Sequence, residues 1–235
     1  MIVERPSSAR GEVDLGWLRS RHTFSFGHYH DPAWMGFGPL RVINDDTVAP
    51  GGGFAPHRHA NMEIVSVVLE GALAHKDSAG NEGVIRAGDV QWMSAGHGIE
   101  HSEYNGSNLA PVHFLQIWIQ PDRLNAAPAY AQTWFDPDAR RARWTTLVSA
   151  DGAEGSIAIR QQASLRATRL HAGDAVAASL DPVRRYWLHV AAGEVAVGDR
   201  LLQAGDALGL VDEAGELALR GIGASSDVLL FDLPV

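Results

Sequence analysis

The chain has 235 residues, of which 46% are hydrophobic, so it is long enough for one large core or two small ones. It contains no cysteine, which excludes disulfide bonds, thiolate zinc sites and cysteine nucleophiles, so any bound metal must be held by histidine and carboxylate side chains. The net charge of −9 argues against duplex DNA or an anionic membrane as a direct partner. The opening segment lacks the apolar core of a signal peptide and no stretch has the length of a membrane span, so we expect a soluble, cytoplasmic protein, and a monomer.

Short apolar runs separated by turn residues follow one another along the chain, a pattern typical of an all-β sandwich or barrel. After an aromatic N-terminal arm, strands are predicted at "LRVIN", "MEIVSVVLEG" and "VHFLQIWIQP". Residues 121–145 interrupt this rhythm with prolines and mixed charges, as an inter-domain segment or a long loop would. We therefore predict an N-terminal domain over residues 1–125, a connecting segment over 126–145 and a C-terminal domain over 146–235.

The second half of the chain resembles a diverged copy of the first. Residues 68–90 align with residues 190–208, and both segments run from a Gly turn through an alternating strand to a second turn ending in Ala-Gly-Asp. Self-similarity of this kind indicates two related β units.

Two pairs of ligand-type side chains stand out in the first half. His57 and His59 are two residues apart, and His101 and Glu103 repeat that spacing. Because residues i and i+2 of a strand point the same way, each pair converges if its face lines a barrel. Together the pairs predict three imidazoles and one carboxylate around a single ion.

The other histidines receive different interpretations. His28 and His30 lie among turn formers, which favours a structural or pocket-rim role, and His97 is predicted to be a loop residue. A hydrogen-bonded structural role is predicted for the isolated histidines, which are His22, His75, His113, His171 and His189.

The repeat serves as an internal control on the metal site. If Gly193 matches Gly71 and Gly205 matches Gly88, the four candidate ligands fall on Ser179, Asp181, Ala218 and Arg220. This set cannot replace three imidazoles, so one metal ion is predicted, in the N-terminal unit only.

The segment from Gly51 to Glu63 and the later Gly98-x2-His101 look like the two cupin motifs. The stretch "HRHANMEIVSVVLEGALAHKDSAGNEGVIRAGDVQWMSAGHGIEHSEYN" resembles the pirin family, and the N-terminal arm and the closing "VLLFDLPV" resemble its bacterial, quercetinase-like members. This resemblance implies a bicupin, two cupin β-barrels face to face, with the metal in the N-terminal barrel. The family's ligand pattern falls on His57, His59, His101 and Glu103.

Cupins in general place a glutamate ligand where this chain has Glu63, whereas pirin-like proteins use the later carboxylate. We therefore assign Glu103 as the ligand. Glu63 is expected at most to contact a ligand residue, without binding the metal itself. The predicted wall of the substrate pocket consists of Phe54, Glu63, Met93, Phe114 and Gln116.

The resemblance implies quercetin 2,3-dioxygenase activity, with a flavonol-like small molecule and O₂ as partners. One divalent ion is expected, Fe(II) first, although Mn, Ni, Co, Cu or Zn suits the same ligands. Glu103 is predicted to serve as ligand and as general base. The alternative is a metal- or redox-sensing regulatory protein that acts through a protein partner, since no basic stripe indicates direct binding of nucleic acid. A third interpretation keeps the fold alone, as a cupin that binds a sugar or small acid.

Overall fold

The computed structural model describes all 235 residues, and its regular secondary structure is almost entirely β-strand, which confirms the predicted all-β class. The helical elements are two short 3₁₀ turns, Ser7–Ala9 and Ala153–Gly155. The strands, in chain order, are β1 (Ile2–Arg5), β2 (Gly11–Asp14), β3 (Leu18–His22), β4 (Leu40–Val48), β5 (Gly53–His59), β6 (Glu63–Glu70), β7 (Ala72–Asp77), β8 (Glu82–Arg86), β9 (Asp89–Ser94), β10 (Ile99–Asn105), β11 (Val112–Ile119), β12 (Ala129–Trp134), β13 (Thr145–Ser149), β14 (Ile157–Ala158), β15 (Ser164–Leu170), β16 (Ala175–Leu180), β17 (Arg185–Ala192), β18 (Glu194–Val197), β19 (Arg200–Gln203), β20 (Ala207–Val211), β21 (Gly215–Gly221) and β22 (Ser226–Leu233). Neither helical turn has the length and apolar character needed to cross a membrane.

The chain forms two compact units. The N-terminal unit comprises Gly11–Phe135 and Ile159–Gln161, and the C-terminal unit comprises Met1–Arg10, Asp136–Ala158 and Gln162–Val235. Each unit therefore contains a short segment that is distant in sequence from the rest of that unit.

These units are bounded differently from the predicted domains. Strand β1 pairs antiparallel with β20, from Ile2 opposite Leu210 to Arg5 opposite Ala207, so the first ten residues belong to the C-terminal unit. Strand β12 lies inside the predicted connecting segment but pairs with β9 in the N-terminal unit. Both strands cover the edge of a seven-stranded sheet, where backbone groups would otherwise lack partners.

The two units have matching sheets. In the N-terminal unit a seven-stranded sheet has the order β12-β9-β6-β11-β4-β3-β2 and a four-stranded sheet the order β5-β10-β7-β8. The C-terminal unit has the orders β1-β20-β17-β22-β15-β13-β14 and β16-β21-β18-β19. Strand for strand, β5, β10, β7 and β8 correspond to β16, β21, β18 and β19, which confirms the predicted repeat.

The strand ladders correct the alignment within this repeat. Asn105 lies opposite Leu73, two residues after Gly71, and Gly221 lies opposite Val195, two residues after Gly193. From these pairs, the correspondence can be followed back along β10 and β21 and then across to β5 and β16. It matches the four candidate ligands with Ala178, Leu180, Leu217 and Leu219. The predicted set was wrong by one residue at each position, because the connections between strands differ in length and a one-residue slip reverses the face.

Each unit encloses an apolar core. A continuous cluster of buried side chains in the C-terminal unit comprises Leu170, Ala178, Leu180, Tyr186, Leu188, Val190, Val195, Val197, Leu202, Leu208, Leu210, Leu217, Leu219, Val228 and Leu230. Two smaller clusters lie in the N-terminal unit, besides other buried apolar side chains. One comprises Leu18, Val48, Val68, Leu73, Ile85, Val112 and Phe114, and the other Ile64, Met93, Ala95 and Ile99.

Candidate metal centre

Three imidazoles converge where strands β5 and β10 pair. His57 lies directly opposite His101 in the antiparallel ladder, and His59 follows two residues along. The ring centroid of His101 is 4.4 Å from that of His57 and 4.9 Å from that of His59. One nitrogen of each ring lies within 4.8 Å of the other two, a spacing at which one ion can be shared.

Glu103 belongs to a second group of ligand-type side chains, which shares only His101 with the three imidazoles. A register shift in the ladder separates the two residues, and the carboxylate of Glu103 groups with His75 and His101, with ligand atoms within 4.8 Å. Gln116 Nε2 donates to one oxygen of Glu103 at 2.7 Å. Ser66 Oγ donates to Gln116 Oε1 at 2.8 Å and lies 3.4 Å from the other oxygen of Glu103. The structure thus places the predicted ligands in two groups that share His101.

His75 takes part in the second group although sequence reasoning treated it as isolated. Its Nε2–H donates to Asp77 Oδ2 at 3.2 Å, and its Nδ1 accepts from Gln91 Nε2 at 3.4 Å. Both nitrogens are therefore used within the protein, as expected of a structural histidine. The signal that marks this position is the spacing of His75 and Asp77, which share one face of β7.

The protonation of two of the converging imidazoles suits a cation. Burial and the neighbouring histidines lower the pKa of His101 to about 2, and burial, together with the nearby His57, lowers the pKa of His59 to about 4. These two rings are neutral at pH 7 and can coordinate a metal without first losing a proton. His57 Nδ1–H donates to the carbonyl oxygen of Ala55 at 2.8 Å, which points its Nε2 away from that hydrogen bond.

His101 provides the strongest local indication of a missing partner. The residue is 2% exposed, and neither ring nitrogen has a hydrogen-bond partner. A buried nitrogen without a partner costs about 1–3 kcal/mol, and coordination of a cation would remove that cost. The residues present therefore fit a divalent ion.

Glu103 is a buried carboxyl group at the edge of this cluster. Burial raises its pKa, while hydrogen bonds from Gln116 and Ser66 and the nearby His75 and His57 act in the opposite direction. A cation beside the carboxylate would favour the ionised form further.

A cavity of about 510 Å³ opens onto the centre. Its lining residues are Trp17, Phe26, Asn44, Asp46, Gly53, Phe54, Ala55, His57, His59, Glu103, Gln116 and Trp118. The aromatic members pack edge to face, with centroids 5.2 Å apart for Trp17 and Phe54 and 4.8 Å apart for His59 and Trp118. Of the predicted pocket residues, Phe54 and Gln116 lie on this wall.

Glu63 lies elsewhere, which corrects its predicted pocket role. Strand β6 is buried on both faces, and Ser66, which reaches Glu103, lies on the opposite face from Glu63. The carboxylate of Glu63 accepts hydrogen bonds from Trp92 Nε1 at 2.8 Å, Ser94 Oγ at 2.5 Å and the backbone N–H of Arg160 at 3.0 Å. It is fully engaged on the far side of its strand.

Met93 and Phe114 also do not line the cavity. Met93 packs in the cluster with Ile64, and Phe114 packs in the cluster with Leu73, both fully buried. The strand of Phe114 was predicted correctly, but alternation alone does not distinguish plain core from a cavity wall.

The remaining histidines lie outside both ligand groups. His28, His30 and His97 are exposed, the first two between strands and the third in the loop between β9 and β10. His113 Nε2 bonds Asp45 Oδ1 at 2.6 Å.

Two repeated all-β units, one of which carries a histidine-rich centre, define the chain as a bicupin. The family model named Pirin matches residues 3–119, and the model for the quercetinase C-terminal cupin domain matches residues 146–233. The chain belongs to the pirin family.

Its relatives include curated bacterial proteins and solved structures. The chain is 41% identical over 234 residues to the quercetin 2,3-dioxygenase of Escherichia coli K12, covering 100% of this chain and 99% of the relative. It is 43% identical over 218 residues to a pirin-like protein of Caulobacter vibrioides, covering 91% and 92%. It superposes on the crystal structure of the bacterial pirin YhhW from E. coli in complex with nickel(II) with a TM-score of 0.93 and 40% identity, covering 100% and 99% of the two chains.

Proposed function

We propose that the protein is a metal-dependent dioxygenase that opens the central ring of flavonols such as quercetin. The observation that carries this proposal is the cluster of three imidazoles beside a buried carboxylate, at an aromatic cavity of about 510 Å³. That volume lies within the range of about 300–1,000 Å³ typical of small-molecule sites. The curated E. coli relative carries the name of this activity, and YhhW was crystallised with nickel(II).

We infer that His57, His59, His101 and Glu103 hold one divalent ion in the N-terminal unit. When bound, the ion would supply Lewis acidity toward the oxygens of a substrate that carries a hydroxyl group next to a keto group. Fe(II) is the ion we propose first, and Mn, Ni, Co, Cu and Zn are the alternatives to be tested.

Glu103 is proposed as the general base. Its carboxylate oxygen would accept the proton of the flavonol 3-hydroxyl group, and burial raises the pKa of Glu103, which favours uptake of a proton. Gln116 and Ser66 hold this carboxylate from the other side and so orient it. Addition of O₂ then breaks two carbon–carbon bonds of the central ring, and the carbon between them leaves as carbon monoxide.

The cavity wall would position the flat substrate. Trp17, Phe54 and Trp118 present aromatic surfaces on which a flavonol can stack, and stacked aromatic pairs contribute about 0.5–1.5 kcal/mol beyond their buried area. The same residues would exclude water from the opened ring.

Anaerobic loading of the purified protein with each divalent ion, followed by quercetin and air, tests the proposal. We expect consumption of O₂ and release of carbon monoxide in equal amounts with at least one metal. Absence of turnover with every metal would overturn the enzymatic function, and capture of a protein partner only by metal-loaded material would then support the regulatory alternative. Gel filtration tests the proposed monomer.

A further inference from the structure

One wall of the cavity carries polar groups that the proposed reaction does not use. Asn44 and Asp46 lie on β4, are each 4% exposed and line the cavity together with Glu103. The Oδ1 atom of each side chain is buried without a hydrogen-bond partner. Nε1 of Trp118, on the same wall, is also buried without an acceptor.

The strand register places these groups next to the candidate base. Asn44 lies directly opposite Gln116, the residue that donates to Glu103, and Asp46 lies opposite Phe114, two residues along β4. Residues two apart on a strand share a face, so Asn44 and Asp46 present their side chains to the same cavity. Asp45, between them, faces away and bonds His113.

A buried oxygen without a hydrogen-bond partner lowers the stability of the protein unless a bound ligand supplies a donor. Most buried polar side-chain atoms in folded proteins have a partner, and an exception calls for an explanation such as a functional role. At Asn44 and Asp46 the unpaired oxygens lie on the wall of the cavity. Two oxygen acceptors and one indole donor on an aromatic wall match a planar ligand that carries hydroxyl groups. Burial raises the pKa of Asp46 to about 7, so this group can also donate.

We propose that Asn44 and Asp46 form a specificity subsite that accepts hydrogen bonds from substrate hydroxyl groups other than the one deprotonated by Glu103. This inference rests on the proposed function and adds the substrate class, which is a flavonol hydroxylated on its outer rings. It predicts a preference for quercetin over 3-hydroxyflavone, which has only the reacting hydroxyl group.

Anaerobic binding to the metal-loaded protein measures this preference without turnover. Quenching of tryptophan fluorescence reports occupancy, because Trp17 and Trp118 line the cavity. We expect quercetin to bind the wild-type protein roughly tenfold more tightly than 3-hydroxyflavone, the effect of one or two net hydrogen bonds. Asn44→Leu and Asp46→Leu should each reduce the ratio several-fold by weakening quercetin alone, and thermal unfolding verifies that each variant folds.

Two further variants separate recognition from general damage. Asp46→Asn retains an acceptor oxygen and should retain most of the preference. Asp45→Asn removes a carboxylate from the neighbouring position on the opposite face and should leave the ratio unchanged. Under air, the Leu variants should raise KM for quercetin more than they lower kcat.

Two different results would overturn the two proposals. Equal binding of both flavonols by the wild-type protein, or an unchanged ratio in both Leu variants, would refute the subsite. Lack of turnover under air with every metal would refute the dioxygenase proposal, while the anaerobic ratio would still report on the subsite.

Discussion

The two units have matching sheets, but the inward-facing side chains at four corresponding positions are polar in one unit and apolar in the other. Where the N-terminal unit has His57, His59, His101 and Glu103, the C-terminal unit has Ala178, Leu180, Leu217 and Leu219, all within one apolar cluster. Strand order and pairing are maintained with either set, so the scaffold does not depend on these side chains. The two units therefore show that the candidate metal ligands differ between the repeats while the strand scaffold is retained.

The difference also has an energetic side. The C-terminal unit gains the burial of large aliphatic groups, each contributing about 1.5–3 kcal/mol. At the position that matches Leu217, the N-terminal unit buries His101, whose ring nitrogens have no partner, and Asn44 and Asp46 add unpaired oxygens on the cavity wall. We therefore expect the metal-free N-terminal unit to be stabilised by changes that make its interior resemble that of the C-terminal unit.

His101→Leu is expected to have the largest effect, because it gives the N-terminal unit the residue type that the C-terminal unit has at the matching position. We expect metal content to fall from one equivalent per chain to near zero and O₂ consumption to cease. The metal-free variant should be more stable than the metal-free wild-type protein by about 1–3 kcal/mol, since a buried unpaired group is removed. Elemental analysis and thermal unfolding measure both effects, and the exposed His97→Leu serves as the control. Retention of a full metal equivalent would contradict the ligand assignment.

Asp46 makes the stability of the N-terminal unit depend on pH. Burial raises its pKa from 3.8 to about 7, assisted by Asp45 and Glu103 and opposed by a hydrogen bond from Ser20 and by His113. The native state holds this proton more tightly than the unfolded state, so the cost of the group is absent below pH 4 and grows until about pH 7.

Asp46→Asn removes this titration. Near pH 4 the free energy of unfolding of the variant should equal that of the wild-type protein. Above pH 7 it should be higher by an amount of order 4 kcal/mol, because each pKa unit corresponds to about 1.4 kcal/mol. Urea unfolding of the metal-free proteins across this range measures the difference. A gain that is independent of pH would show that Asp46 does not titrate in this window.

Leu217→His tests the comparison in the reverse direction. The imidazole would enter an apolar cluster with Leu180 and Leu219 as neighbours and no polar partner, at a cost of about 1–3 kcal/mol. We expect lower stability and no additional metal, because one imidazole among aliphatic side chains cannot form a site. A second metal equivalent would show that the C-terminal unit is closer to a metal site than its residues indicate.

Glu63→Gln sharpens the contrast between two buried glutamates of the N-terminal unit. Glu63 accepts three hydrogen bonds away from the cavity, so the change should lower the free energy of unfolding by about 1–2 kcal/mol and leave metal content unchanged. Glu103→Gln is the matched variant and should release metal. If both variants kept the ion, the carboxylate ligand would have to be sought elsewhere.

The part of the site that could be predicted from sequence depends on spacing along one strand. His57 with His59, and His101 with Glu103, share a face because strand geometry repeats every two residues. The separation of Glu103 from the first two histidines could not be predicted, since it depends on a register shift between β5 and β10. The polar wall at Asn44 and Asp46 was missed for a similar reason, because short polar side chains in a strand carry no signal of what they face.

The sequence by itself determined the all-β class, the repeat, the pirin family and the identity of the candidate ligands, because alternation and motif spacing are local. Tertiary structure decided which face of β6 carries Glu63, which residues of the repeat truly correspond, and that β1 completes the C-terminal sheet. These features depend on register between strands distant in sequence, and a shift of one residue reverses every side chain.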